Sequence, residues 1–266
     1  MEQIKLLEMI KNNPKAIITI DNPTDEMKLI AIKKNGLLLE YIDNPTRKMQ
    51  ELAIKNNARA IQFINNPTED MMINAIEDNW INLEHIKNPT DHVIRLAISQ
   101  AGWAIKYVDN PTEELQLLAV RNNYESIKFI KEPLDRIQEE AVRISYDALR
   151  LIKEPTHHAE LIAVKKNEEA FNFVNEIDKD KILDFLKVNF LVLKYIAKDI
   201  SKDELEEVLK EVLSKEDVDE KYVRDFVNYN TIDDSVIKQI DKLSLIYRYG
   251  SKQAKKITVD EKLKMK

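Results

Sequence analysis

Apolar residues recur along this chain in a register of 22 residues rather than in a plain helix or strand period. Counted from Asn22, position ten is alanine seven times running: Ala31, Ala53, Ala75, Ala97, Ala119, Ala141 and Ala163. Position eleven is Ile or Val in the same units, from Ile32 to Val164, and position six is apolar from Met27 to Ala159. These positions share one helical face, which predicts a helix A of about ten residues, Pro23–Lys33 in the first unit. The alanine column predicts that backbones approach closely there. A second apolar stripe follows at position eighteen (Leu39, Ile61, Leu83, Ile105, Ile127, Leu149, Phe171, Leu193) and position twenty-one (Ile42 through Ile196), with position twenty usually aromatic. A spacing of three predicts a helix B of about eight residues. A helix that short does not persist alone in water and must stack on its neighbours, which is the logic of a solenoid.

Punctuation agrees with the register. Seven of the eight prolines, from Pro23 to Pro155, are spaced by 22 residues, and the first five sit in Asn-Pro-Thr. The reading is Asn as N-cap, Pro at the first helical position and an acid (Asp25, Glu69, Asp91, Glu113, Asp135) completing a capping box. Position fourteen is mostly Asn (Asn35, Asn57, Asn79, Asn123, Asn167, Asn189), suited either to a left-handed helix end or to capping helix B. Residues 1–21 read as a half-unit. Beyond Lys198 the period fails and irregular helices are expected at Asp203–Leu213, Asp219–Val227, Asp233–Ile240 and Leu243–Tyr249. The expected fold is therefore all-α: a right-handed α-solenoid of 22-residue two-helix repeats over residues 1–197, a helical C-terminal cap over 198–250, and a frayed basic tail over 251–266.

Composition narrows function by exclusion. Three glycines are too few for Gly-rich phosphate loops, and the absence of cysteine removes disulfides, thiol catalysis and Cys-ligated metals. No apolar run approaches the ~20 residues of a membrane span. The N-terminal residues lack the pattern of a secretory signal, so a cytoplasmic location is expected. A net charge of −6 weighs against bulk nucleic-acid binding but leaves local patches open.

The Asn-Pro-Thr starts, the alanine column and the Asn before helix B resemble short helical-repeat proteins of bacteria and phages, above all the leucine-rich repeat variant family, and more distantly HEAT repeats. The resemblance spans about residues 14–197. It implies an interaction scaffold, here of a phage or mobile element intercepting a host factor. The iron–sulfur cluster of that family does not carry over to a chain without cysteine.

No catalytic constellation emerges. His85 replaces an aromatic, His92 opens a helix A, and His157–His158 are adjacent, about 100° apart on a helix and unsuited to clamping a metal. No enzyme activity, cofactor or metal is expected. Surface positions say more. Position nineteen turns from Glu40, Gln62 and Glu84 to Lys106, Lys128, Arg150, Asn172 and Lys194. With Arg121, Arg143, Lys165 and Lys187 at position twelve and Lys131 and Lys153 at position twenty-two, it predicts a basic ridge on repeats 4–8. Large aromatics stand where helix B begins: Trp80, Trp103, Tyr124, Tyr146 and Phe190. Tyr, Trp and Arg are hot-spot residue types. The expected site comprises Trp80, Trp103, Tyr124 and Tyr146 as anchors, with Lys106, Lys128 and Arg150 facing an acidic protein partner on the concave surface. The alternative is nucleic-acid or nucleotide-phosphate binding through the ridge.

Overall fold

A computed structural model describes residues 2–230 and 236–264. Among these residues all regular structure is helical, and consecutive helix pairs pack in tandem as an all-α repeat solenoid. The chain divides into two compact units, Met1–Pro133 and Leu134–Lys266. This boundary falls inside the repeat array.

In the first unit, α1 (Glu2–Asn12) is followed by α2 (Asp25–Lys34), α3 (Arg47–Asn56), α4 (Glu69–Asp78), α5 (Asp91–Gln100) and α6 (Glu113–Asn122). Each is joined to the next by a six-residue 3₁₀-helix: Pro14–Thr19, Gly36–Tyr41, Ala58–Phe63, Trp80–His85 and Gly102–Tyr107, with Tyr124–Phe129 closing the series. Helix B is thus a 3₁₀-helix, not the short α-helix expected. A ten-residue α-helix is about 15 Å long. Six 3₁₀ residues at about 2.0 Å each cover about 12 Å, against about 9 Å for six α residues. The tighter helix nearly spans its partner with few residues. Its three-residue turn also brings positions eighteen and twenty-one onto one line.

The caps differ from expectation too. Threonine, not asparagine, is the N-cap: the hydroxyls of Thr24, Thr46, Thr90 and Thr112 accept from the backbone N–H three residues on, at 3.3–3.4 Å. The acids at Asp25, Glu69, Asp91 and Glu113 become the first helical residues, where they still favour the helix dipole. Asn22, Asn44 and Asn110 instead adopt left-handed backbone with φ of 48–50°, a conformation asparagine tolerates, and turn the chain into the following proline. At position fourteen the backbone is extended. There Asn35, Asn57, Asn79 and Asn123 cap the 3₁₀-helix by accepting from the N–H two residues on. The alanine column is the core: Ala31, Ala53, Ala75, Ala97 and Ala119 are fully buried, as are Ala60 and Ala104 at position seventeen.

The second unit begins with three further repeats. These are α7 (Asp135–Ile144) with Tyr146–Leu151, α8 (His157–Lys166) with Glu168–Phe173, and α9 (Lys179–Val188) with Phe190–Val192, which runs into α10 (Leu193–Ile196). Glu176 (φ 51°) keeps the left-handed turn without the asparagine. Then come α11 (Lys202–Leu213), α12 (Glu220–Asn228), a short 3₁₀ turn at Ile237–Gln239, α13 (Lys242–Tyr249) and α14 (Lys252–Lys264). The helix expected at Asp233–Ile240 lies partly outside the described residues. The tail expected to fray is corrected: residues 252–264 form α14, which buries Ala254, Ile257 and Thr258. Glu261 of that helix accepts from Asn228 of α12 at 2.9 Å and pairs with Arg224.

Candidate partner-binding surface

In the first unit the 3₁₀-helices present a face built from positions sixteen, nineteen and twenty, joined by Trp80 at position fifteen. Trp103 is 38% exposed and Phe129 is 36% exposed. Rings of successive repeats meet in pairs. Trp80 lies 6.3 Å from Tyr107, tilted by 40°, and Trp103 lies 6.4 Å from Phe129, edge to face at 71°. Against each pair rests one lysine. Lys106 Nζ is 4.5 Å from the Tyr107 ring centre and 5.7 Å from that of Trp80. Lys128 Nζ is 4.6 Å from the Trp103 ring and 5.2 Å from Phe129. These are cation–π distances, worth about 0.5–1 kcal/mol at exposed sites. The rings therefore hold the two ammonium groups in place while leaving them exposed.

The charge on this face is only partly compensated. Lys128 also pairs with Glu125 at 3.3 Å, whereas Lys106 makes no salt bridge among the described residues. Beside Lys106 opens a recess of about 580 Å³, lined by Phe129 and by both charges, Lys131 with Asp109 and Glu132. Tyr124 is half-buried at the start of its 3₁₀-helix.

The expected residues of the second unit sit in a different electrostatic setting. The Tyr146 hydroxyl donates to Glu169 at 2.9 Å. That bond raises its pKa above the ordinary phenol value. Arg150 lies 4.0 Å from Asp147, and Lys194 pairs with Glu168 at 2.8 Å. The position-twelve cations are paired as well: Arg143 with Glu139, Lys165 with Asp219, and Lys187 with Asp184 and Glu211. The basic ridge expected over repeats 4–8 is thus compensated by neighbouring acids in the second unit. Phe190 is not a surface aromatic but fully buried, with Tyr222, Phe226 and Tyr229 edge-on at 5.9, 5.1 and 5.2 Å.

The sequence reading missed two things. It did not see Tyr107 and Phe129 as partners of the tryptophans, although an aromatic at position twenty in six of the eight units was the available signal. It also missed the asparagines at position thirteen, Asn56 and Asn122, which join neighbouring repeats. Of the histidines, His157 lies between two carboxylates, Nδ1 at 3.4 Å from Glu160 and Nε2 at 3.3 Å from Asp184. Among the described residues no group of His, Asp and Glu is arranged to hold a metal ion, and no helix is long and apolar enough to cross a membrane.

Fold and surface together define a tandem helical-repeat protein with an aromatic–lysine face. No protein-family model, curated protein or solved structure matches the chain.

Proposed function

We propose that the chain is a non-catalytic interaction scaffold whose first unit binds an acidic segment of a protein partner. The observation that carries this reading is the pair of lysines, Lys106 and Lys128, each held against rings from two neighbouring repeats, half-buried at Trp80 and Tyr107 and exposed at Trp103 and Phe129. Charged groups held by rings lose less side-chain freedom when a carboxylate arrives than free lysines do. Trp80, Trp103 and Phe129 add apolar edges of the kind that dominate interface energetics. Lys131 adds a third cation beside the recess, whose lining also carries Asp109 and Glu132. Protein is favoured over nucleic acid because the lysines already cover the ring faces on which bases would stack. On the same reading Tyr146 and Arg150, tied to Glu169 and Asp147, are secondary contacts. The likeness to phage and bacterial repeat scaffolds agrees with a captured host protein as partner.

The test is charge reversal at both lysines. Lys106→Glu/Lys128→Glu loses four cation–π contacts and keeps its helical circular dichroism. Its affinity for an Asp/Glu-rich peptide, read by fluorescence anisotropy, falls at least about ten-fold. Unchanged affinity in the folded double variant contradicts the proposal. So does tighter binding of wild-type protein to a single-stranded oligonucleotide with a steep salt dependence.

A further inference from the structure

We infer that the groove between α3 and α4 is a binding site for a primary carboxamide, the group carried by glutamine and asparagine side chains. The argument starts from two junctions where the protein satisfies this geometry itself. Asn56 donates from Nδ2 to the Lys33 carbonyl at 3.0 Å and accepts at Oδ1 from the Gly36 N–H at 2.6 Å. Asn122 repeats the arrangement three junctions later, donating to the Ser99 carbonyl at 3.0 Å and accepting from the Gly102 N–H at 2.8 Å. Each corner between an α-helix and its 3₁₀-helix presents one free carbonyl and one free N–H side by side, because neither group has an intrahelical partner there. One planar amide from the next repeat satisfies both.

At the first of the two corners between them, where α4 follows α3, the amide is missing. The equivalent backbone groups are the Lys55 carbonyl and the Ala58 N–H, and α4 carries Asp78 where α3 and α6 carry asparagine. A carboxylate only accepts, so Asp78 cannot bridge a carbonyl and an N–H. Among the described residues no hydrogen bond reaches either backbone group. Packing reinforces the gap. A Cβ at Gly36 or Gly102 would fall 2.3 Å from the carbonyl oxygen of Ala53 or Ala119 in the next repeat. Ala58 has that Cβ, so α4 must stand further off. At the following corner the bulky Trp80 occupies this position. Between α3 and α4 neither a stitch nor a filler exists, and a groove of about 750 Å³ remains. This is within the usual range of small-ligand sites.

The groove carries further unspent polar groups. Thr68 Oγ1 is buried in its wall without a hydrogen-bond partner, and Thr68 lacks the cap bond that the threonines of α2, α3, α5 and α6 make. Asp78 sits in the last turn of α4, where the helix dipole disfavours an anion. Neither it nor Lys55 on the opposite wall makes an ion pair among the described residues. A ligand amide would donate its NH₂ to the Lys55 carbonyl and accept from the Ala58 N–H, as Asn56 and Asn122 do at their own corners. A neighbouring ammonium would meet Asp78 and a carboxylate Lys55.

Isothermal titration calorimetry on the full chain tests this with three probes: free glutamine, the blocked peptide acetyl-Gly-Gln-Gly N-methylamide, and glutamate as the isosteric acid. One of the carboxamide probes binds at least about ten-fold more tightly than glutamate. The tighter of the two tells whether the source is the free amino acid or a peptide side chain. In Ala58→Gly/Asp78→Asn the junction acquires its own stitch, so the melting temperature rises and binding weakens at least about ten-fold. If that variant does not fold, Ala58→Trp, which copies the filler at the following corner, closes the groove and shows the same loss. Glutamate binding as well as glutamine, no carboxamide binding at about 1 mM, or undiminished binding by the folded variant overturns the inference.

Discussion

A methyl group at Gly102 would meet the Ala119 carbonyl oxygen at 2.3 Å and the Ser126 hydroxyl at 2.6 Å. The nearest obstacle is backbone of the next repeat, which cannot rotate away as a side chain could. Gly102→Ala therefore pushes α6 off α5 and breaks the Asn122 stitch. It lowers stability by about 1–3 kcal/mol, and thermal denaturation shows the melting temperature falling by several degrees. An unchanged melting temperature would mean that the close approach is not present in solution. In the sequence, Gly36 and Gly102 stand out only as small residues at a variable position. Their partners Asn56 and Asn122 hide in position thirteen, which reads Lys34, Asn56, Asp78, Gln100, Asn122 and so follows no consensus. The pairing is a contact between repeats, and a column-by-column reading does not see such contacts.

At the scale of elements, the apolar stripes identified helix A within a few residues. They left helix B ambiguous, since a spacing of three satisfies both an α-helix and a 3₁₀-helix. Length settles it physically: the second element must match a 15 Å partner with only six residues. The N-caps were placed two residues early because asparagine and threonine both cap well, and only the left-handed backbone at Asn22, Asn44 and Asn110 decides between them. Among the described residues the one full capping box lies outside the repeats, at the start of α11. There the Glu204 carboxylate accepts from the Ser201 N–H and hydroxyl, each at 2.8 Å, and pairs with Lys179 of α9 at 2.9 Å. The Ser201 backbone bond first, then Lys179, hold its pKa down at about 2. A carboxyl whose pKa is depressed by folding stabilises the folded state above the ordinary carboxylate range. That contribution disappears as pH falls towards the folded value. Urea unfolding should show Glu204→Gln less stable than wild type at neutral pH, with the difference shrinking between about pH 5 and pH 2. A difference that stays constant with pH would show that the box does not act through its charge.

At the scale of the whole molecule, the 22-residue register alone is enough for an all-α repeat solenoid, because it states both the period and the buried columns. The division at Pro133 is not visible in that register: Glu132-Pro133-Leu134 departs from Asn-Pro-Thr but keeps the spacing. The helix at Lys252–Lys264 was concealed by its lysines, which lie on the exposed side while Ala254 and Ile257 turn inward. Of the expected site, Trp103, Lys106 and Lys128 come together on the first unit with Trp80. Tyr146 and Arg150 are held by acids that precede or follow them in the fold. Exposure could be read from helical spacing, but charge compensation could not, since Glu168 and Lys194 are neighbours only through the stacking of repeats.

Both tryptophans of the protein, Trp80 and Trp103, belong to the aromatic–lysine face, so intrinsic emission reports on that face alone. Titration of the full chain with an Asp/Glu-rich peptide should change the tryptophan emission saturably, and added salt should weaken the response. The folded Lys106→Glu/Lys128→Glu variant should give no such change. A peptide that binds the wild type without altering tryptophan emission, or alters it equally in the double variant, would contradict the assignment of this face as the partner-binding surface.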